Sequence, residues 1–119
     1  MTKQLARITD TFFGVEDRGF LTFWLYVDYE EGLSQGVGGY ALDMHDELSG
    51  KRFGTAYGTT MLIRILDTLG VKELKDAKDM DIFVLGEGEG FDFKYSGIQA
   101  LRADGGKKLI FKDVFEETK

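Results

Sequence analysis

The sequence contains no cysteine, no proline, one histidine and one tryptophan. Without cysteine there is no disulfide, no thiolate nucleophile and no Cys-based metal site, which suits a reducing cytoplasm. With one histidine, His45, a multi-His zinc site is excluded by counting. Any His acid–base centre would have to use His45, which Asp43, Asp46 and Glu47 could orient, but these residues read as a surface loop and the imidazole as a bystander. The opening MTKQLARITD lacks the apolar stretch of a signal peptide. No apolar run approaches the ~20 residues a membrane helix needs; the longest, around Phe20 to Val27, is interrupted by Thr22. No membrane partner is therefore expected. With proline absent, tight turns fall to the 16 glycines, many of them in pairs or near-pairs.

What is present is enough for one core. A chain of 119 residues with 43% hydrophobic and 13% aromatic residues fits one domain over residues 1–119. The formal charge of −6 repels phosphate backbones, so direct nucleic-acid binding is disfavoured. The same charge serves solubility, or docking onto a basic protein surface.

Leu5 to Val15 reads as a strand, closed by the turn Glu16-Asp17-Arg18-Gly19. Phe20 to Tyr29 is the clearest strand: Leu21, Phe23, Leu25, Val27 and Tyr29 form an apolar core stripe, and Phe20, Thr22, Trp24, Tyr26 and Asp28 face the other way. A glycine-weakened third strand is expected over Gln35 to Asp43 and a polar turn over Met44 to Phe53. The next segment has every mark of a helix. Thr55 is its N-cap, Met61, Leu62, Ile65, Leu66 and Leu69 its apolar stripe, Gly70 its left-handed terminator and Val71 the apolar contact beyond. After a charged connector (Lys72 to Met80) come strands at Asp81 to Leu85 and Phe91 to Tyr95. A last strand pair, Ile98 to Arg102 and Lys108 to Phe115, is expected around Asp104-Gly105-Gly106, with residues 116–119 fraying. The order β-β-β-α-β-β predicts an α+β fold, one antiparallel sheet with one long helix on one face.

No motif carries a known chemistry. Gly36-Val37-Gly38-Gly39 is followed by a strand pattern rather than a helix, so it reads as a close backbone approach or bulge, not a phosphate loop. The acidic loop Gly86-Glu87-Gly88-Glu89-Gly90 lacks the spacing of a calcium loop. Carboxylate pairs such as Glu30-Glu31 and Asp46-Glu47 read as solvated turns. No cofactor, metal or catalytic residue is assigned, and the chain is read as not an enzyme. The aromatic set is more informative: Phe20, Trp24 and Tyr26 oppose the core stripe, with Tyr40 expected beside them. One helix cannot cover both faces of a sheet, so an aromatic second face needs a cover, from the chain's own loops and C-terminal strands or from a partner.

Three stretches carry a resemblance: Gly14-Val15-Glu16-Asp17-Arg18-Gly19-Phe20-Leu21-Thr22-Phe23-Trp24-Leu25, Gln35-Gly36-Val37-Gly38-Gly39-Tyr40-Ala41-Leu42-Asp43, and Gly54-Thr55-Ala56-Tyr57-Gly58. They resemble a family of small phage- and prophage-encoded proteins. Its members share G-[IV]-E-D-x-G-x-[LF]-T, GQG-x-GGY-x-LD (matched here from its Gln onward) and G-T-x-x-G. The resemblance covers about the first 70 residues and implies a setting rather than an activity, because the family is mostly uncharacterised. The implied setting is the bacterial host cytoplasm. The implied role, by analogy, is a non-enzymatic accessory protein that binds and inhibits a host protein, such as a nucleic-acid-binding defence component in the manner of an anti-CRISPR. The contacts expected for that role are Glu16, Asp17, Trp24, Tyr26 and Tyr40. The alternative is a binder or sponge for a small ligand or signalling nucleotide, using Gln35, Gly36, Gly38, Tyr40, Arg52, Tyr57 and Arg64. A homo-oligomer is compatible with both.

Overall fold

The computed structural model describes residues 1–102 and 105–119; Asp104 of the expected turn lies outside them. β1 (Thr2–Val15) and β2 (Leu21–Tyr29) form a hairpin, and β3 (Ser34–Gly38) returns beside β2. A small separate hairpin follows, β4 (Asp43–His45) and β5 (Arg52–Gly54), then the long helix α1 (Ala56–Leu69). A 3-10 turn at Leu74–Ala77 leads into β6 (Asp81–Glu87), then β7 (Lys94–Ala100), β8 (Lys108–Ile110) and a short helix α2 (Phe111–Glu117). Among the described residues the main sheet has six antiparallel strands in the order β3-β2-β1-β6-β7-β8. The expected α+β class with a helix packed on one antiparallel sheet is thus the observed one.

Local chemistry explains the elements that were expected. The Glu16–Gly19 turn closes β1 onto β2, with the Gly19 amide donating to the Glu16 carbonyl at 2.8 Å and Gly19 at φ 91°. Thr55 caps α1, its Oγ1 accepting from the Gly58 amide at 2.8 Å. Gly70 ends the helix at φ 71°, and the Val71 amide donates to the Leu66 carbonyl. Phe23, Leu25 and Val27 of β2 meet Ile8, Val37, Ile82, Val84 and Ile98 from neighbouring strands, with Met61, Ile65 and Leu69 of α1 above them. Each such buried side chain contributes about 1.5–3 kcal/mol.

Four expectations are corrected. The third strand stops at Gly38, because Gly38 and Gly39 take φ 124° and 80° and carry the chain out of the ladder. Residues 44–53 are not simply a turn: Met44 pairs with Phe53 and His45 with Arg52 in the β4–β5 hairpin. Gly90–Asp92 is a 3-10 turn, so the strand begins at Lys94 rather than Phe91. The segment after Ile110 is a helix, burying Phe111 and Val114 on one side and running to Glu117, whose exposed carboxylate pairs with Arg64 of α1.

The sheet is strongly curled. β3 and β7 lie four strand spacings apart, about 19 Å if flat. Yet the Tyr95 hydroxyl of β7 donates to the Gly38 carbonyl of β3 at 2.9 Å. Right-handed twist lets the inner face close on itself in this way, and both helices add to the same inner core. Among the described residues no α-helix lies over the outer face.

Candidate functional site

On the outer face, Trp24 and Tyr26 are neighbours on β2, stacked with centroids 6.1 Å apart and 17° between planes. Phe12 pairs with Trp24 across the β1–β2 ladder, and Asp10 pairs with Tyr26. Asp28 lies two residues further along and accepts from the Ser34 hydroxyl at 2.7 Å. Tyr26 is 40% exposed and Phe12 and Trp24 are half-buried. Nearer β6 the same face carries a bidentate Arg7–Asp81 pair (2.9 Å) and Lys3 over the Phe83 ring at 4.6 Å. The acid charge is therefore not concentrated here; two carboxylates flank the aromatics and the rest of the face is balanced.

Trp24 explains the glycine run. A Cβ at Gly36 would sit 3.0 Å from its ring, and a Cβ at Gly39 would overlap the ring. Gly36 and Gly39 are a bed for the indole, while a Cβ at Gly38 would meet the Phe23 ring and carbonyl instead, so the run is a close backbone approach rather than a phosphate loop.

The expected partner-binding residues do not all meet. Trp24 and Tyr26 do. Glu16 and Asp17 sit in the hairpin turn, where Glu16 is held by Arg18 at 2.5 Å while Arg18 also lies over the Phe20 ring. Phe20 precedes β2 and does not join the Trp24 stripe. Tyr40 is on the opposite side of the sheet, packed against Phe23 (6.3 Å) and Phe111 (5.3 Å). The break at Gly38–Gly39 resets the alternation that had placed it outside.

The residues expected to take a ligand are also scattered. Gln35 accepts the Tyr29 hydroxyl at 2.5 Å. Arg52 is committed to Asp43, with bonds of 2.6 and 2.9 Å, and Arg64 to Glu117. Arg52 holds the Asp43 carboxyl below its ordinary range, helped by the Leu21 amide. Tyr40 and Tyr57, however, do come together. They line a cavity of about 420 Å³ with Tyr95, Phe111, Lys112 and Phe115. Burial pushes the Tyr40 hydroxyl up to about 12 and raises that of Tyr57. Sequence reasoning missed Tyr95, Phe111, Lys112 and Phe115 because strands and helices far apart in the chain bring them together.

Among the described residues no group of three or more His, Asp or Glu is placed to hold a metal ion, and no helix is long and apolar enough to cross a membrane. His45 is exposed at the end of β4, while Asp43 and Asp46 engage Arg52 and the Ser49 amide instead.

The chain matches no family model, no curated protein and no solved structure.

Proposed function

We propose that this chain is a non-enzymatic binding protein that docks its outer sheet face on a host protein and blocks it. The observation that carries the reading is the Trp24–Tyr26 stack beside Phe12 on a sheet face that no α-helix among the described residues covers. Rigid, half-exposed aromatics flanked by polar groups are what the centre of a protein interface uses. Asp10 and Asp28 at its border, neither of them paired with a cation among the described residues, favour a partner with basic groups around an apolar patch. The resemblance to phage and prophage proteins supplies the class of partner, a nucleic-acid-binding component of bacterial defence, and the role, inhibition in the manner of an anti-CRISPR. The place of action is the host cytoplasm.

Native mass spectrometry of the tagged protein recovered from a bacterial lysate tests this. The wild type is expected in a stoichiometric complex with a bacterial protein. Tyr26→Lys is expected to reduce that complex at least tenfold, about 1.4 kcal/mol, without lowering the melting temperature. Trp24 is the less clean probe, since its removal also empties the glycine bed. Equal recovery with wild type and Tyr26→Lys would overturn the reading, and a homo-oligomer lost with Tyr26→Lys would make a second copy the occupant of the face.

A further inference from the structure

On the inner side, away from the outer face, five aromatic rings surround one cavity: Tyr40, Tyr57, Tyr95, Phe111 and Phe115. We propose that this cavity binds a small planar aromatic anion, a flat ring bearing a carboxylate or a phosphate.

Size is the first argument. A volume of about 420 Å³ falls within the roughly 300–1,000 Å³ of small-molecule sites. Preorganisation is the second. Tyr57 meets Phe115 edge-on (5.8 Å, 75°) and Tyr95 meets Phe111 edge-on (6.2 Å, 87°), while Tyr40 leans on Phe111 at 5.3 Å. Tyr95 is further fixed by its bond to the Gly38 carbonyl. The walls are therefore set by the protein's own packing, and a flat ring entering them meets both faces and edges of other rings.

Polarity is the third argument. The Tyr40 and Tyr57 hydroxyls have no hydrogen-bond partner among the described residues, and a phenol is a donor at neutral pH, so both are available to donate to a ligand in the cavity they line. Lys112 stands on the cavity's lining with no carboxylate partner among the described residues. Lys3, Lys51, Lys72, Lys78, Lys94 and Lys108 also lack one among the described residues; what sets Lys112 apart is its place, as the one charged side chain on this lining. Two neutral donors and one unpaired cation around an apolar slot select a ring with a single anionic end, and they reject cations and purely aliphatic chains.

The test is titration of the full chain, followed by ¹H–¹⁵N NMR, with indole-3-acetate (ring plus carboxylate) and with adenosine 5′-monophosphate (ring plus phosphate). Saturable binding of at least one is expected, with shifts centred on Tyr57, Ser96, Lys112 and Phe115. The arm that binds more tightly tells which anionic group the site prefers. Lys112→Glu, a change at an exposed side chain, and Tyr57→Leu are each expected to weaken binding about tenfold or more, while Tyr26→Lys on the outer face leaves it unchanged. Should Tyr57→Leu fail to fold, Lys112→Glu decides alone. No saturation by either probe at millimolar concentration, shifts centred elsewhere, or affinity unchanged in Lys112→Glu would each overturn the proposal.

Discussion

Trp24 rests on Gly39: the indole occupies the space that any side chain at position 39 would need. Gly39 also has φ 80°, and its amide donates to the Phe23 carbonyl at 2.8 Å. Gly39→Ala therefore meets two penalties, a left-handed backbone costing about 1–2 kcal/mol and a lifted indole. The expected result is a loss of at least that much stability in urea unfolding, with the emission of the single tryptophan shifted to the red in the folded state.

Gly58 sits inside α1, where alanine would ordinarily gain about 1 kcal/mol of helix propensity. Here the sign reverses. A Cβ at Gly58 would overlap the Leu42 carbonyl, which also accepts the Thr55 hydroxyl at 2.9 Å. Gly58→Ala must push the chain before the hairpin away from the helix, or break the Thr55 cap. A net loss of roughly 2 kcal/mol or more is expected, in the range of overpacked sites, and thermal unfolding measures it.

The Asp43–Arg52 pair sets a pH dependence. Asp43 is held below its ordinary value first by the hydrogen bond from Arg52, and Asp46, Asp81 and Glu117 are lowered as well. A carboxyl whose folded value is depressed adds stability above its unfolded value, about 3.9 for Asp. That stability is lost as the pH falls through the lower folded value. Stability should thus fall on acidification below about pH 4. Asp43→Asn, which keeps an acceptor for the Leu21 amide but not the charge, should make that fall shallower while costing stability at pH 7. Unfolding free energies at a series of pH values decide it; an unchanged acid slope would refute the assignment.

The β4–β5 hairpin is expected to be the loosest part of the structure. An isolated two-stranded hairpin is marginal in water, and Leu48 at its tip is 99% exposed. Leu48→Ser should change stability by no more than about 0.5 kcal/mol. Amides of residues 44–53 should exchange with solvent well before those of β1 and β2.

What could be read from the sequence was local. The β2 stripe and both caps of α1 depend on residues a few positions apart, and they stand as read. Strict alternation through Gly38 and Gly39 puts Tyr40 on the outer face, but the backbone leaves the ladder there and Tyr40 lies inside. α2 reads as strand in the sequence although Phe111, Val114 and Phe115 recur at helical spacing, because three strand residues directly before it, Lys108–Ile110, mask the change of period. The aromatic cavity was beyond reach, since Tyr40, Tyr57, Tyr95 and Phe111 converge only once the curled sheet brings β7 to β3. Pairwise spacing has no access to that curl.

The first four residues of β1 have one neighbour in the ladder, and that neighbour is made late. Thr2 to Leu5 pair with β6, Leu5 opposite Phe83, whereas the ladder to β2 begins at Ala6. On the ribosome the β1–β2 hairpin can close early, but its leading residues wait with bare amides until residues 81–87 emerge. Long-range closure of this kind is slow. The interval between the two events is when this chain is most open to strand exchange with a second nascent copy, and when a chaperone that holds extended segments would have the most to protect.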